Sequence, residues 1–136
     1  MKVCLDTNVL VAAVATRGLC ADVLRTVLAE HELVIGEVIL TELRRVLSTK
    51  FKVPTDRVNA IEAIFAPFPL LPKPDAPSGL EIRDAADRWI LATAVAGAAD
   101  VLVTGDEDLL AVAAHTSLRI LTPRAFWELL RQPATG

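Results

Sequence analysis

The chain has 136 residues and a formal net charge of −3, and 53% of its residues are hydrophobic while 4% are aromatic. That length fits one domain with one sizeable core, so we expect residues 1–136 to form a single unit. The acidic balance argues against broad nonspecific binding of nucleic acid through a basic surface. No apolar run approaches the roughly 20 residues of a membrane span, and Asp6 and Asn8 interrupt any signal-peptide pattern. We therefore predict a cytoplasmic protein that does not associate with a membrane.

Apolar strand-like runs alternate with helical patterns along the chain. Strands are predicted at residues 2–5, 32–35, 68–71, 100–103 and 118–121. Helices are predicted at residues 8–15, 19–30, 37–48, from 55 or 56 to about 65, at 85–98, and after the Thr122-Pro123 pair. The turn-rich residues 72–79 form a loop. This alternation predicts a three-layer α/β/α fold with a mostly parallel five-stranded sheet and right-handed crossovers.

Four acidic signatures lie far apart in the sequence, each near a place where a predicted strand ends or a helix begins. They contain Asp6, Glu42, Asp87 and Asp106. Carboxylates at the C-terminal ends of parallel strands point into one crevice, where they repel each other. Unless one is protonated they need a cation, and Mg²⁺ and Mn²⁺ prefer oxygen ligands. The first hypothesis is therefore a metal site.

Asp6 and Glu42 also have simpler interpretations. Asp6 follows the first strand and could cap the next helix, although Thr7 and Asn8 could cap it instead and leave Asp6 for chemistry. Glu42 lies at the edge of the apolar stripe of its helix and could be solvated.

Asp87 is the most informative of the four acids. On a helical wheel it falls in the middle of an apolar face formed by Ile90, Leu91, Ala94, Val95 and Ala98. An isolated charge there is costly, so it must be paired, protonated, metal-bound or in a solvated cleft. Asp84 shares that side and could instead favour the first turn of the helix.

Asp106 follows the fourth predicted strand through Thr104 and Gly105. Asp108 could also reach a metal, or could favour the N-terminus of the next helix. We expect the Thr104 hydroxyl to donate to a neighbouring carboxylate and so fix its geometry.

Taken together, these motifs make the chain resemble the PIN domain family of metal-dependent nucleases, which includes VapC-type toxins of toxin–antitoxin pairs. The segments that carry the resemblance are LDTNVLV, TELRRVL, RDAADRWILATA, LVTGDEDLL and RILTP. The resemblance implies that Asp6, Glu42, Asp87 and Asp106 surround Mg²⁺ or Mn²⁺, with Asn8 and Thr104 as polar support. Ala85 and Ala86 interrupt the acidic run common in the family, so Asp84 alone supplies the extra acid there.

The resemblance also implies an activity and partners. The expected reaction is hydrolysis of an RNA phosphodiester by water, with one or two metal ions, giving a 5′-phosphate and a 3′-hydroxyl. The expected partners are RNA, a small antitoxin protein and a second copy of the chain. Arg44, Arg45 and Arg88 are candidates for contacting RNA phosphates, with a solvated role as the alternative.

Other functions remain open from the sequence. A haloacid-dehalogenase-like phosphatase also has an Asp after its first strand, but Asn8 stands where that family has a second Asp. A noncatalytic PIN-like binding module is a further alternative. Trp89 and Trp127 could anchor an interface or pack against a neighbouring helix. Cys4 and Cys20 are expected to be buried apolar residues, and both histidines, His31 and His115, to lie on the surface.

Overall fold

The computed structural model describes residues 1–132, so residues 133–136 of the predicted single unit lie outside the described part. Its strands are β1 (Lys2–Leu5), β2 (Glu32–Gly36), β3 (Leu70–Leu71), β4 (Val101–Val103) and β5 (Arg119–Leu121). They form one sheet in the order β3-β2-β1-β4-β5, and every neighbouring pair is parallel. The predicted α/β fold with a five-stranded parallel sheet is confirmed.

β1 lies at the centre of the sheet. Val3 is paired with Leu33 of β2 on one side and with Val101 of β4 on the other. Val3 and Cys4 are fully buried, because helices cover both faces of a parallel sheet. That double coverage explains why the central strands are continuous apolar runs.

The helices connect successive strands and form the outer layers. They are α1 (Thr7–Ala15), α2 (Leu19–Glu30), α3 (Glu37–Thr49), α4 (Thr55–Ala63), α5 (Ala85–Ala96), α6 (Glu107–Ala111) and α7 (Pro123–Arg131), with a 3-10 turn at Ala113–His115. As expected, Thr122 caps α7 by accepting from the Ala125 amide, and Pro123 is its first residue. Among the described helices, none is long and apolar enough alone to cross a membrane; α1 and α2 pass together by length and composition, with a 103° bend.

α5 differs from its predicted face and length. Ile90, Leu91 and Ala94 are buried as expected, but Val95 is 60% exposed and Ala98 lies beyond the helix end. The prediction was wrong for these two residues because the last turns of α5 pack through a different side. Thr93 is fully buried there, and a side chain on Gly97 would collide with Val34 of β2.

Three strands are shorter than predicted, and β5 begins at Arg119 instead of Leu118. Phe68 closes a turn by donating its amide to Phe65 O, and Pro69 has no amide to donate, so β3 is reduced to Leu70–Leu71. Asp100 precedes β4 and holds the edge of β1 instead, because its carboxylate accepts from the Lys2 amide at 2.7 Å.

Candidate metal centre

The site begins where β1 and β4 end side by side. The parallel register pairs Leu5 with Val103, and the Asp6 amide donates to Val103 O at 3.0 Å. The next residues of the two strands, Asp6 and Thr104, are therefore neighbours, and both are buried. Thr104 Oγ1 donates to Asp6 Oδ2 at 2.7 Å, which is the kind of contact predicted for this hydroxyl. Asp6 occupies the N-cap position of α1 without capping it through its side chain, so its carboxylate is held for the site.

Three carboxylates converge beside this pair. One oxygen from each of Asp87, Asp106 and Asp108 lies within 4.8 Å of the others. Asp87 is in the first turn of α5 and is only 5% exposed. Its Oδ2 has no hydrogen-bond partner among the described residues. A buried carboxylate oxygen without a donor is costly, and a bound cation would satisfy it.

Asp106 is fixed by three backbone contacts. Its side chain caps α6 by accepting from the amides of Asp108 at 2.8 Å and Leu109 at 3.4 Å. Its own amide donates to Thr104 Oγ1 at 3.0 Å. Thr104 thus connects Asp6 to Asp106. The sequence analysis did not identify Asp106 as the N-cap of this helix. The signal for it was its position just before two further acids, because Asp is favoured at an N-cap and acids are favoured in the first turn.

Asp108 has a partner of its own. The guanidinium of the exposed Arg83 lies 3.3 Å from Asp108 Oδ2. Arg83 was not singled out from the sequence, since an arginine directly before a helix N-cap has no distinctive pattern. The contact places one positive charge next to the converging carboxylates.

Glu42 and Asp84 lie outside the group of three converging acids. Glu42 is half-buried on α3. Burial raises the pKa of Glu42, Asp6 and Asp84 raise it further, and Arg45 opposes them. Asp84 is exposed and caps α5 by accepting from the Ala86 amide at 2.9 Å. Both acids therefore act on the cluster through charge.

The cluster is electrostatically unfavourable without a cation. Burial raises the pKa of Asp87 to about 7, and the charges of Asp106, Asp6 and Asp84 add to this effect. Burial also raises the pKa of Asp6, with the Thr104 hydrogen bond opposing and Asp106 and Asp84 adding. Acids that are costly to ionise together, all offering oxygen donors, fit a hard divalent ion. The donor set matches Mg²⁺ or Mn²⁺ better than a soft metal.

The polar neighbours of Asp6 in α1 contribute less than expected. Neither Thr7 nor Asn8 caps α1 through its side chain. Asn8 is exposed, and Thr7 is buried with no partner for Oγ1 among the described residues.

Of the three arginines proposed as phosphate contacts, two are held within the fold. Arg44 Nη1 lies 2.5 Å from Glu62 Oε2 and joins α3 to α4. Arg88 Nε donates to Ser78 O at 3.0 Å and ties the loop at residues 72–79 to α5. Only Arg45 lines a groove together with an acid of the site, Glu42.

The cysteines and histidines lie away from this chemistry. Cys4 is buried and Cys20 half-buried, and they are not bonded to each other. Burial raises the pKa of the Cys4 thiol to about 12, so it is inert at neutral pH. His31 is half-buried beside the N-terminal amine, and His115 is exposed.

Residues 2–108 match the family model described as PIN domain. No curated protein shows significant sequence similarity to the chain.

Three solved structures share the fold. VapBC2 from Rickettsia felis bound to a promoter DNA fragment is 18% identical, with 90% of this chain and 98% of that chain covered and a TM-score of 0.63. FitAB bound to an IR36 DNA fragment is 22% identical, with 89% and 94% covered and a TM-score of 0.64. FitAcB from Neisseria gonorrhoeae is 22% identical, with 90% and 98% covered and a TM-score of 0.61.

Proposed function

The chain belongs to the PIN domain family, and on that premise we propose that it is a metal-dependent ribonuclease that hydrolyses RNA phosphodiester bonds as one nuclease domain. The observation that carries the proposal is the convergence of Asp87, Asp106 and Asp108 within 4.8 Å, next to the buried Asp6. Carboxylates gathered in this way at the C-terminal edge of a parallel sheet are placed for a ligand of opposite charge.

Several acidic residues would together hold a divalent cation. Asp87, Asp106 and Asp108 offer the converging oxygens, and Asp6 and Glu42 complete the acidic wall. When bound, Mg²⁺ or Mn²⁺ activates water and neutralises charge that develops on the phosphate.

The chain's own contacts orient these acids. Thr104 holds Asp6 Oδ2, and the N-terminus of α6 holds Asp106 Oδ1. A carboxylate fixed in this way cannot rotate away from the site, which is the role of a supporting hydrogen bond around a metal. Asp87 Oδ2 keeps its lone pairs available, because no donor among the described residues reaches it.

We extend the proposal to a cellular role as the toxin of a type II toxin–antitoxin pair acting in the cytoplasm. Its support is the likeness of the fold to VapBC2 and FitAB, together with the resemblance of the sequence motifs to VapC-type toxins. On this proposal a small antitoxin protein binds the chain and blocks the site, and the chain pairs with a second copy of itself.

The test is cleavage of single-stranded RNA by the purified chain. We expect cleavage with Mg²⁺ or Mn²⁺, none with excess chelator, and products that end in a 5′-phosphate and a 3′-hydroxyl. A simple phosphomonoester serves as the control substrate, because the alternative phosphatase would hydrolyse it. Metal binding without turnover on any RNA would overturn the nuclease proposal in favour of a binding module.

A further inference from the structure

A groove of about 400 Å³ adjoins the acidic cluster. Its walls are α3, the first turns of α5 and the loop at residues 72–79, and it is lined by Glu37, Val38, Thr41, Glu42, Arg45, Lys73, Ala86 and Trp89. Glu42 connects the groove to the site, because it lines the groove and the charge of Asp6 raises its pKa. At the other wall, Ala86 precedes Asp87 in the chain. A ligand in this groove therefore lies next to the carboxylates.

Trp89 forms the aromatic wall of the groove. It is half-buried on α5, so one part of the indole is fixed by packing while the rest remains accessible. The Lys73 ammonium lies 4.3 Å from the centre of the Trp89 ring. From the sequence, Trp89 was expected either to anchor an interface or to pack against a neighbouring helix. The contact with Lys73 was not predicted, because Lys73 reaches the ring only when the loop folds back over α5.

The loop that carries Lys73 is held in place at two points. The Lys73 amide donates to Glu37 Oε2 on α3 at 3.2 Å. Further along the loop, Ser78 and Arg88 exchange two hydrogen bonds, Ser78 N to Arg88 O and Arg88 Nε to Ser78 O, both at 3.0 Å. The ammonium is thus presented from an anchored backbone.

Two cations of the groove have no carboxylate partner. Within residues 1–132, neither Arg45 nor Lys73 forms an ion pair, whereas Arg44 is paired with Glu62 and Arg25 with Asp22. Glu37 and Glu42 share the groove with these cations, but neither cation is held by an ion pair among the described residues. An aromatic ring beside cations that can turn to a phosphate is the combination that binds single-stranded nucleic acid, since bases stack on the ring and phosphates meet the charges. Lysine is depleted at protein–protein interfaces, so the position of Lys73 over the ring favours nucleic acid over a protein partner.

We propose that this groove binds a nucleotide of single-stranded RNA that flanks the cleaved bond, with its base stacked on Trp89 and its phosphate held by Lys73 and Arg45. The inference rests on the proposed ribonuclease function and adds the form of its substrate. A duplex would keep its bases stacked inside the helix, so the groove selects unpaired RNA.

The groove is tested by a binding measurement that needs no turnover. A Trp127→Phe background leaves Trp89 as the single tryptophan. Trp127 lies on α7 and lines a different cavity with Met1 and Asp100. Addition of an Asp6→Asn substitution keeps the RNA intact. We expect a short single-stranded RNA of mixed sequence to quench Trp89 emission, and the matching duplex to quench it far less.

Variants of the groove give the quantitative test, read by anisotropy of the same RNA carrying a fluorescein label. Trp89→Leu should weaken binding by about 5- to 150-fold, while Trp89→Phe retains much of the affinity. Lys73→Ala and Arg45→Ala should each lower the slope of log Kd against log salt by about 0.7. Arg44→Ala is the matched control and should leave the slope unchanged, because Arg44 is already paired. Thermal melts confirm that each variant is folded.

The outcomes separate this inference from the proposed function. If RNA binds without changing Trp89 emission, and Trp89→Leu binds RNA with unaltered affinity, the groove inference is contradicted. That result is also the one expected if a partner protein covers Trp89 instead. Cleavage of RNA by the wild-type chain would still support the ribonuclease function. If the chain neither binds nor cleaves any RNA, both the groove inference and the proposed ribonuclease function are contradicted.

Discussion

Thr104 Oγ1 donates a 2.7 Å hydrogen bond to Asp6 Oδ2, although the two residues are 98 positions apart in the chain. The same oxygen accepts from the Asp106 amide at 3.0 Å. A single buried hydroxyl therefore sets the relative position of two acids that follow neighbouring parallel strands. The geometry of the site depends on this contact as much as on the carboxylates themselves.

Thr104→Val should separate these contributions, because valine keeps the shape of threonine and removes the hydroxyl. The buried Asp6 oxygen loses its donor, so we expect a loss of about 1–3 kcal/mol in the free energy of unfolding. Affinity for Mn²⁺ should fall by about 10- to 100-fold, as measured by calorimetric titration. Thr104→Ser, which retains the hydroxyl, should restore most of the affinity. Equal metal affinity in Thr104→Val and wild type would show that the contact does not support the site.

Asp87→Asn should alter the pH dependence of stability in the absence of metal. Because the pKa of folded Asp87 is raised to about 7, the folded chain keeps a proton that the unfolded chain releases from about pH 4 upward. The stability of the wild-type protein therefore decreases as pH rises from about 4 to about 7. Above about pH 7 the contribution of Asp87 to stability no longer changes with pH. Asparagine carries no charge, so the variant should lack this part of the decrease and be the more stable protein at about pH 8.

Thermal melts of both proteins in chelator provide that measurement. The difference between variant and wild type should be small near pH 4 and should grow through the window. A difference that does not change with pH would mean that Asp87 is ionised at a normal pKa and that the cluster is less strained than its burial suggests.

The central part of this fold follows from sequence patterns. Val3, Leu33 and Val101 lie in apolar runs that only a doubly covered parallel sheet accommodates. Parallel strands place Asp6 and Thr104 at the same edge of the sheet, and they meet there because β1 and β4 are neighbours with Leu5 paired to Val103. The buried face of the last turns of α5 could not be predicted from a helical wheel. The close approach of Gly97 to β2 buries Thr93 and leaves Val95 exposed.

The surroundings of the site depend on contacts that no local pattern encodes. Arg44 and Arg45 are adjacent in sequence and equally basic, yet one pairs with Glu62 on α4 and the other lines the groove. The position of Lys73 over Trp89 depends on how the loop at residues 72–79 is anchored. Such side-chain partners follow from the packing of α3, α4 and α5 together.

Metal ions should stabilise the folded protein. A ligand that binds only the native state adds about 2.7 kcal/mol at a concentration one hundred times its Kd, so the melting temperature should rise with Mn²⁺. Asp106→Asn should lose most of this increase, since it removes a charged oxygen from the converging group. Asp22→Asn is the matched control, because Asp22 is an acid paired with Arg25 on α2 and its loss should leave the increase intact. Stabilisation of the Asp106 variant equal to that of wild type would place the ion elsewhere.

Expression in a bacterial host tests the toxin role. If the chain is a free toxin, its induction should slow growth, because uncontrolled RNA cleavage halts translation. Asp106→Asn should remove the effect at equal soluble expression. Growth arrest that persists in the variant would mean that the toxicity is not catalytic. Normal growth with both proteins would count against the toxin role and not against the nuclease.

The most direct measurement compares wild type and Asp6→Asn in cleavage of single-stranded RNA with Mg²⁺ or Mn²⁺. The substitution removes a buried charge without changing side-chain volume, and its amide oxygen can still accept from Thr104, so the fold should be retained. It should also be at least as stable as wild type in chelator, because it relieves repulsion within the cluster. We predict metal-dependent cleavage by wild type and nearly none by the variant. Equal cleavage by the two proteins, or cleavage by wild type that continues in chelator, would contradict a metal-dependent reaction at these carboxylates.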